Sequence, residues 1–113
     1  MRILARNWRS GRLELDLVCR EGDTLVFVEV KTRGPGSLGS ALDAVGPRKR
    51  QTLIRAARAW LAAHDQWHLP CRFDLVSIEP GPTGPHMEHI RHAFDLSGPG
   101  PSVDSGHASW QPW

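Results

Sequence analysis

Only two cysteines, Cys19 and Cys71, occur in 113 residues. One bridge between them cannot stand in for a hydrophobic core, so a disulfide scaffold is set aside and free, buried thiols in a reducing cytoplasm are expected. No apolar run approaches the roughly 20 residues that a bilayer-spanning helix needs. The opening residues, Met1-Arg2-Ile3-Leu4-Ala5-Arg6-Asn7, lack both an apolar stretch and a cleavage-site pattern, so no secretory signal is expected there. There is no internal repeat. Gly34, Gly36 and Gly39 follow no phosphate-cradling pattern, which leaves the 33–40 loop as a flexible connection. Acidic residues are missing altogether from 47–64.

What is present suffices for one domain. Hydrophobic residues make up 40% of the chain, and the net charge is +2 with a pI near 8.9. Charge placement matters more than the sum, because the bases cluster while the acids are spread out. Residues 2–9 are consistent with a first strand. Residues 12–19 (RLELDLVC) alternate apolar and charged, and 24–32 (TLVFVEVKT) form a Val-rich strand, with Gly22-Asp23 as the hairpin turn. Pro47 opens a helix running to His64, on which Leu53, Ile54, Ala57, Trp60 and Leu61 recur at helical spacing. Further strands are expected at 71–79 and about 87–94. The domain is therefore placed at 1–95, with a disordered Gly/Pro/Ser-rich tail at 96–113.

Strand parity decides which side chains can meet. With a two-residue Gly22-Asp23 turn, Asp16 falls opposite Glu29 and Glu14 opposite Lys31. Leu13, Leu15 and Leu17 would then share the other face with Val26, Val28 and Val30. The pattern is Glu-x-Asp, twelve residues, then Glu-x-Lys. Like charges facing across a ladder destabilise it. A divalent cation such as Mg²⁺ or Mn²⁺ removes that conflict and can clamp a phosphodiester. A nearby lysine would position water and offset developing negative charge. The same alternation also suits the solvated face of an antiparallel sheet, and spacing alone does not separate the two.

The segments ILARNWRSGRLELDLV, TLVFVEVKTR, AVGPRKRQTLIRAARAWL, CRFDLVSIE and EHIRHAF resemble the YraN-like uncharacterised protein family. That family belongs to the restriction-endonuclease-like superfamily and is related to archaeal Holliday-junction resolvases. The resemblance covers nearly all of residues 2–94, and GRLELDLV and FVEVKTR are its most specific parts. It implies an α/β fold with a mixed central sheet and a packed helix. It also implies metal binding by Asp16 and Glu29, and a water-activating or phosphate-contacting role for Lys31. Glu14 would be a supporting ligand or lie just behind the metal. Family members usually begin with a helix carrying a Gly-Glu pair, whereas this chain opens at the strand that follows; either its start is misassigned or this copy has lost the helix and with it an acidic ligand.

Arg48, Lys49, Arg50, Arg55 and Arg58 on the 47–64 helix could track a phosphate backbone, or could simply be a solvated face. Gln51 is expected to be an exposed polar residue, and Trp8 and Trp60 packing residues. Asp74 is as well suited to a buried hydrogen-bonding role as to catalysis. The histidines offer no convincing zinc tetrad, since Cys71 is the only obvious partner. The leading expectation is Mg²⁺- or Mn²⁺-dependent cleavage of nucleic acid, DNA first and branched structures among the substrates, with a homodimer as the assembly common in such groups. The alternatives are a catalytically silent nucleic-acid-binding module and a structural or interaction domain with a vestigial site.

Overall fold

The computed structural model describes residues 1–32 and 45–94. Strands β1 (Arg2–Ser10), β2 (Leu13–Glu21) and β3 (Thr24–Thr32) run as successive antiparallel hairpins. Helix α1 (Pro47–His64) then carries the chain to β4 (Cys71–Glu79), which lies parallel to β3, and β5 (His86–Phe94) returns antiparallel to β4. The described strands form one five-stranded sheet in the order β1-β2-β3-β4-β5. This is the mixed α/β sheet with a packed helix anticipated above, consistent with a restriction-endonuclease-like core. The 33–40 loop and the 96–113 tail lie outside the described residues. Among the described residues no helix is long and apolar enough to cross a membrane.

Local chemistry sets the element ends. Glu21 pairs with Thr24 around Gly22-Asp23, and Gly22 adopts φ 60°. Glycine in the first central position is what a II′ hairpin turn requires. Pro47 starts α1 at a position where a missing N–H costs nothing. Asp65, in the left-handed conformation at φ 53°, ends it by donating its N–H to the Leu61 carbonyl. Leu53, Ile54, Ala56, Ala57, Trp60 and Leu61 are the buried face of α1.

The sheet is apolar on both sides. The α1-facing core joins Leu15, Val18, Leu25, Phe27, Phe73 and Leu75 to the helix, with Phe27 and Phe73 ring centroids 5.4 Å apart. Cys19, Val26 and Val28 form a smaller cluster with Leu17, Val30 and Val76 packed against it. This corrects the expectation that Leu13, Leu15 and Leu17 share a face with the β3 valines. Leu17 does, but Leu15 is buried in the helix-side core and Leu13 packs against that core. Leu15 and Val18 lie on one side although three positions separate them, so the alternation breaks between them.

The break has a visible partner. The β1–β2 ladder pairs Arg6 with Leu17 and Trp8 with Leu15, leaving Asn7 across from Asp16. Asn7 takes φ 48°, a left-handed conformation that asparagine tolerates better than most side chains. Replacing Asn7 by alanine is expected to cost about 1 kcal/mol in urea unfolding, and by glycine much less. Equal losses would show that the left-handed backbone is not what Asn7 provides.

Candidate metal and phosphate site

Glu29 and Lys31 stand on the α1-facing side of β3, in line with Leu25 and Phe27. Glu29 is buried, at 7% exposure, whereas Lys31 is half-buried. The Leu17–Val28 register sets Asp16 beside Glu29, close enough for its charge to act on the Glu29 carboxyl. Asp16 is pinned there because its Oδ2 accepts the Val30 N–H at 2.8 Å. The backbone group that would have continued the β2–β3 ladder beyond Leu17–Val28 thus bonds a side chain instead.

The electrostatics follow from this crowding. Burial pushes the Glu29 carboxyl above its ordinary value, and the Asp16 charge pushes the same way. Lys49 and Lys31 oppose that shift without cancelling it. Both ammonium groups lie 3.4 Å from the same oxygen, Glu29 Oε2, Lys31 from its own strand and Lys49 from the first turn of α1. Two carboxylates and two lysines therefore face one another beneath the start of the helix.

Other expected site residues lie elsewhere. Glu14 is exposed and forms an ion pair with Arg9 at 3.0 Å, so it does not meet Lys31. Its position is set by β1, because the β2–β3 ladder ends before it. Of the helix bases, Lys49 turns to Glu29. Arg50 donates to the Val45 carbonyl at 2.9 Å and sits 5.4 Å from the Phe94 ring centre. Arg48, Arg55 and Arg58 are exposed, as is Gln51. Trp8 and Trp60 meet edge to face at 5.5 Å, a packing contact.

On the other side of the sheet lies a polar cluster that spacing had not revealed. Asp74 is 1% exposed. It receives Arg72 at 2.9 and 3.3 Å, His89 at 2.8 Å and the His92 N–H at 3.0 Å. Arg72 continues to Glu21 at 3.0 Å, and Arg91 reaches Glu21 at 3.3 Å. These contacts tie β2, β4 and β5 together.

The two thiols are free and buried. Burial pushes Cys71 up to about 12, so it is not poised as a nucleophile. Among the described residues no group of three His, Cys, Asp or Glu side chains converges on a point. Two carboxylates remain a suitable set for Mg²⁺, which keeps several waters and takes one or two carboxylates plus substrate phosphates. The like-charge contact between Asp16 and Glu29 is the conflict that such a cation relieves.

Residues 1–78 match the family described as "Uncharacterised protein family UPF0102". The chain is similar to a UPF0102 protein of Nitratidesulfovibrio vulgaris strain DP4, at 55% identity over 112 residues, covering 99% of this chain and 81% of that protein. It is similar to one from Lawsonia intracellularis at 41% identity over 113 residues, covering 100% of this chain and 83% of the relative. A third, from Oleidesulfovibrio alaskensis, is 36% identical over 173 aligned residues, covering 100% and 84%.

Proposed function

This chain belongs to the uncharacterised protein family UPF0102, and from that premise we propose that it is a metal-dependent nuclease hydrolysing nucleic-acid phosphodiester bonds, with DNA, branched DNA included, as substrate. One observation carries the reading: two carboxylates from adjacent strands, Asp16 and Glu29, are held together beside Lys31 on a sheet face roofed by a basic helix turn.

Asp16 and Glu29 would hold the cation, and the Val30 amide keeps Asp16 from turning away. A bound Mg²⁺ or Mn²⁺ would supply Lewis-acid charge to the phosphoryl group and acidify the attacking water. Lys31, with its ammonium beside Glu29, is placed to donate to a phosphate oxygen as negative charge grows there. Arg48, Arg55 and Arg58 present positive charge on the outer surface of α1, suited to backbone phosphates flanking the scissile bond. The free, buried thiols support a reducing, cytoplasmic location.

A second reading is favoured by the absence of a third converging acid among the described residues. In it the protein is a binding module that keeps the basic helix and no longer cuts.

The test is cleavage of duplex, flapped and four-way-junction DNA in Mg²⁺ or Mn²⁺, comparing wild type with Asp16→Asn and Lys31→Ala. Metal-dependent cutting that falls by about 10²-fold or more in both variants supports the nuclease. Binding without cutting by wild type selects the module. Undiminished cutting by Asp16→Asn removes the assigned site.

A further inference from the structure

Lys49 stands apart from its basic neighbours. The first turn of α1 holds Arg48, Lys49 and Arg50 with no acid, although positive charge there opposes the helix dipole. Arg50 is occupied by the Val45 carbonyl and the Phe94 ring, and Arg48 is exposed. Among the described residues, Lys49 alone of the three turns to a carboxylate, Glu29 Oε2, at 3.4 Å. That oxygen already has Lys31 at 3.4 Å, so it carries two ammonium partners while its own side chain is only 8% exposed.

Charge counting shows what this arrangement is suited to. Asp16 and Glu29 balance Lys31 and Lys49 in the free protein. With a divalent cation on the two carboxylates, both ammonium groups lose their compensation, and two successive phosphodiesters of a nucleic-acid strand, one negative charge each, restore it. The Lys49 ammonium is partly exposed, with 40% of its side chain accessible, and a lysine stem is long enough to swing it between nearby anions.

We infer that Lys49 is a second phosphate-contacting lysine that exchanges partners, covering Glu29 in the free protein and moving to a non-bridging phosphate oxygen when nucleic acid is bound. The inference rests on the nuclease reading and adds a residue to its site. It carries an unusual sign. In the free protein Lys49 competes with the cation for Glu29, so its removal should tighten metal binding while weakening cleavage. A lysine that merely braced the fold would weaken both, and a solvated one would leave metal affinity unchanged.

The experiment is calorimetric titration of Mn²⁺ into nucleic-acid-free wild type, Lys49→Ala and Lys49→Arg, paired with DNA cleavage in Mg²⁺. Lys49→Ala is expected to bind Mn²⁺ about three- to tenfold more tightly. Its cleavage rate should fall about tenfold to a hundredfold, with Lys49→Arg recovering part of the loss. Lys49→Met, which keeps most of the stem, gives the same two readouts if Lys49→Ala does not fold. Unchanged or weaker Mn²⁺ binding overturns the inference, as does cleavage at the wild-type rate. If wild type cuts no substrate, the nuclease reading fails. The competition at Glu29 then stands or falls on the Mn²⁺ titration alone.

Discussion

Asp74→Ala is expected to lower stability by about 3–5 kcal/mol, the cost typical of removing one partner from a buried ion pair. A domain of this size has only about 5–15 kcal/mol in total, so the melting temperature should fall by about 10–20 °C. The loss is large because Asp74 accepts four hydrogen bonds from three residues at once. Without it Arg72, only 17% exposed, retains Glu21 but loses both bonds to Asp74. The His92 N–H and His89 lose their acceptor as well. Burial pushes the Asp74 carboxyl up, but Arg72, the His92 amide and His89 together outweigh it and hold the group below its ordinary 3.8. A carboxylate with a lowered folded pKa contributes stability that is complete above the unfolded value and is lost as pH falls through the folded one. Urea unfolding of wild type and Asp74→Asn should therefore show a gap at pH 7 that narrows as pH falls below about 3.8. A gap of constant size across that range would mean that Asp74 acts through packing rather than charge.

This network also shows where sequence legibility ends. Helix α1 was readable to both ends, because Pro47 and the spacing of Leu53, Ile54, Ala57, Trp60 and Leu61 are local signals. Strands β3 and β4 were readable for the same reason, as Val- and Phe-containing apolar runs bounded by turns. Asp74 could be suspected, since an acid within the run CRFDLV needs partners if it is buried. Its partners could not be named. His89 and His92 come from β5, whose register shifts between its pairings with Phe73 and Leu75, and His92 is itself left-handed at φ 52°.

The hairpin was half legible. Turn chemistry gave the correct Glu21–Thr24 pairing, and with it the meeting of Asp16 and Glu29. Strict alternation then failed at the Asn7–Asp16 position. An asparagine inside an edge strand was the available signal, and Leu15 moved to the helix side as a result. Glu14 followed β1 toward Arg9 for the same reason, since no ladder partner on β3 held it. Lys49 was visible as one base in a basic stretch. Its singular position appears only once α1 is packed over β2 and its first turn reaches Glu29 on β3, a contact between residues twenty positions apart.

Glu29→Gln should move stability and activity in opposite directions. The folded pKa of Glu29 is raised above the ordinary 4.5 by burial first and the Asp16 charge second. For a carboxyl raised on folding, stability is greatest when the group is protonated and declines as pH rises from the unfolded value through the folded one. At pH 7 the raised pKa of Glu29 therefore costs stability, and an amide of the same shape removes that cost. The lysines do not reverse this, because Lys31 and Lys49 are 33% and 40% exposed and can return to solvent. Glu29→Gln is expected to raise the urea midpoint at pH 7, within the about 0.5–2 kcal/mol typical of single stabilising changes. The gain should shrink toward zero near pH 4, where both side chains are neutral. On the nuclease reading proposed above, metal-dependent cleavage should fall by about 10²–10³-fold, because the amide offers the cation no charge. A protein that keeps a buried carboxylate beside another at a cost in stability is using the pair for something other than folding. Loss of stability at pH 7 together with retained cutting would assign Glu29 to the core and remove it from the chemistry.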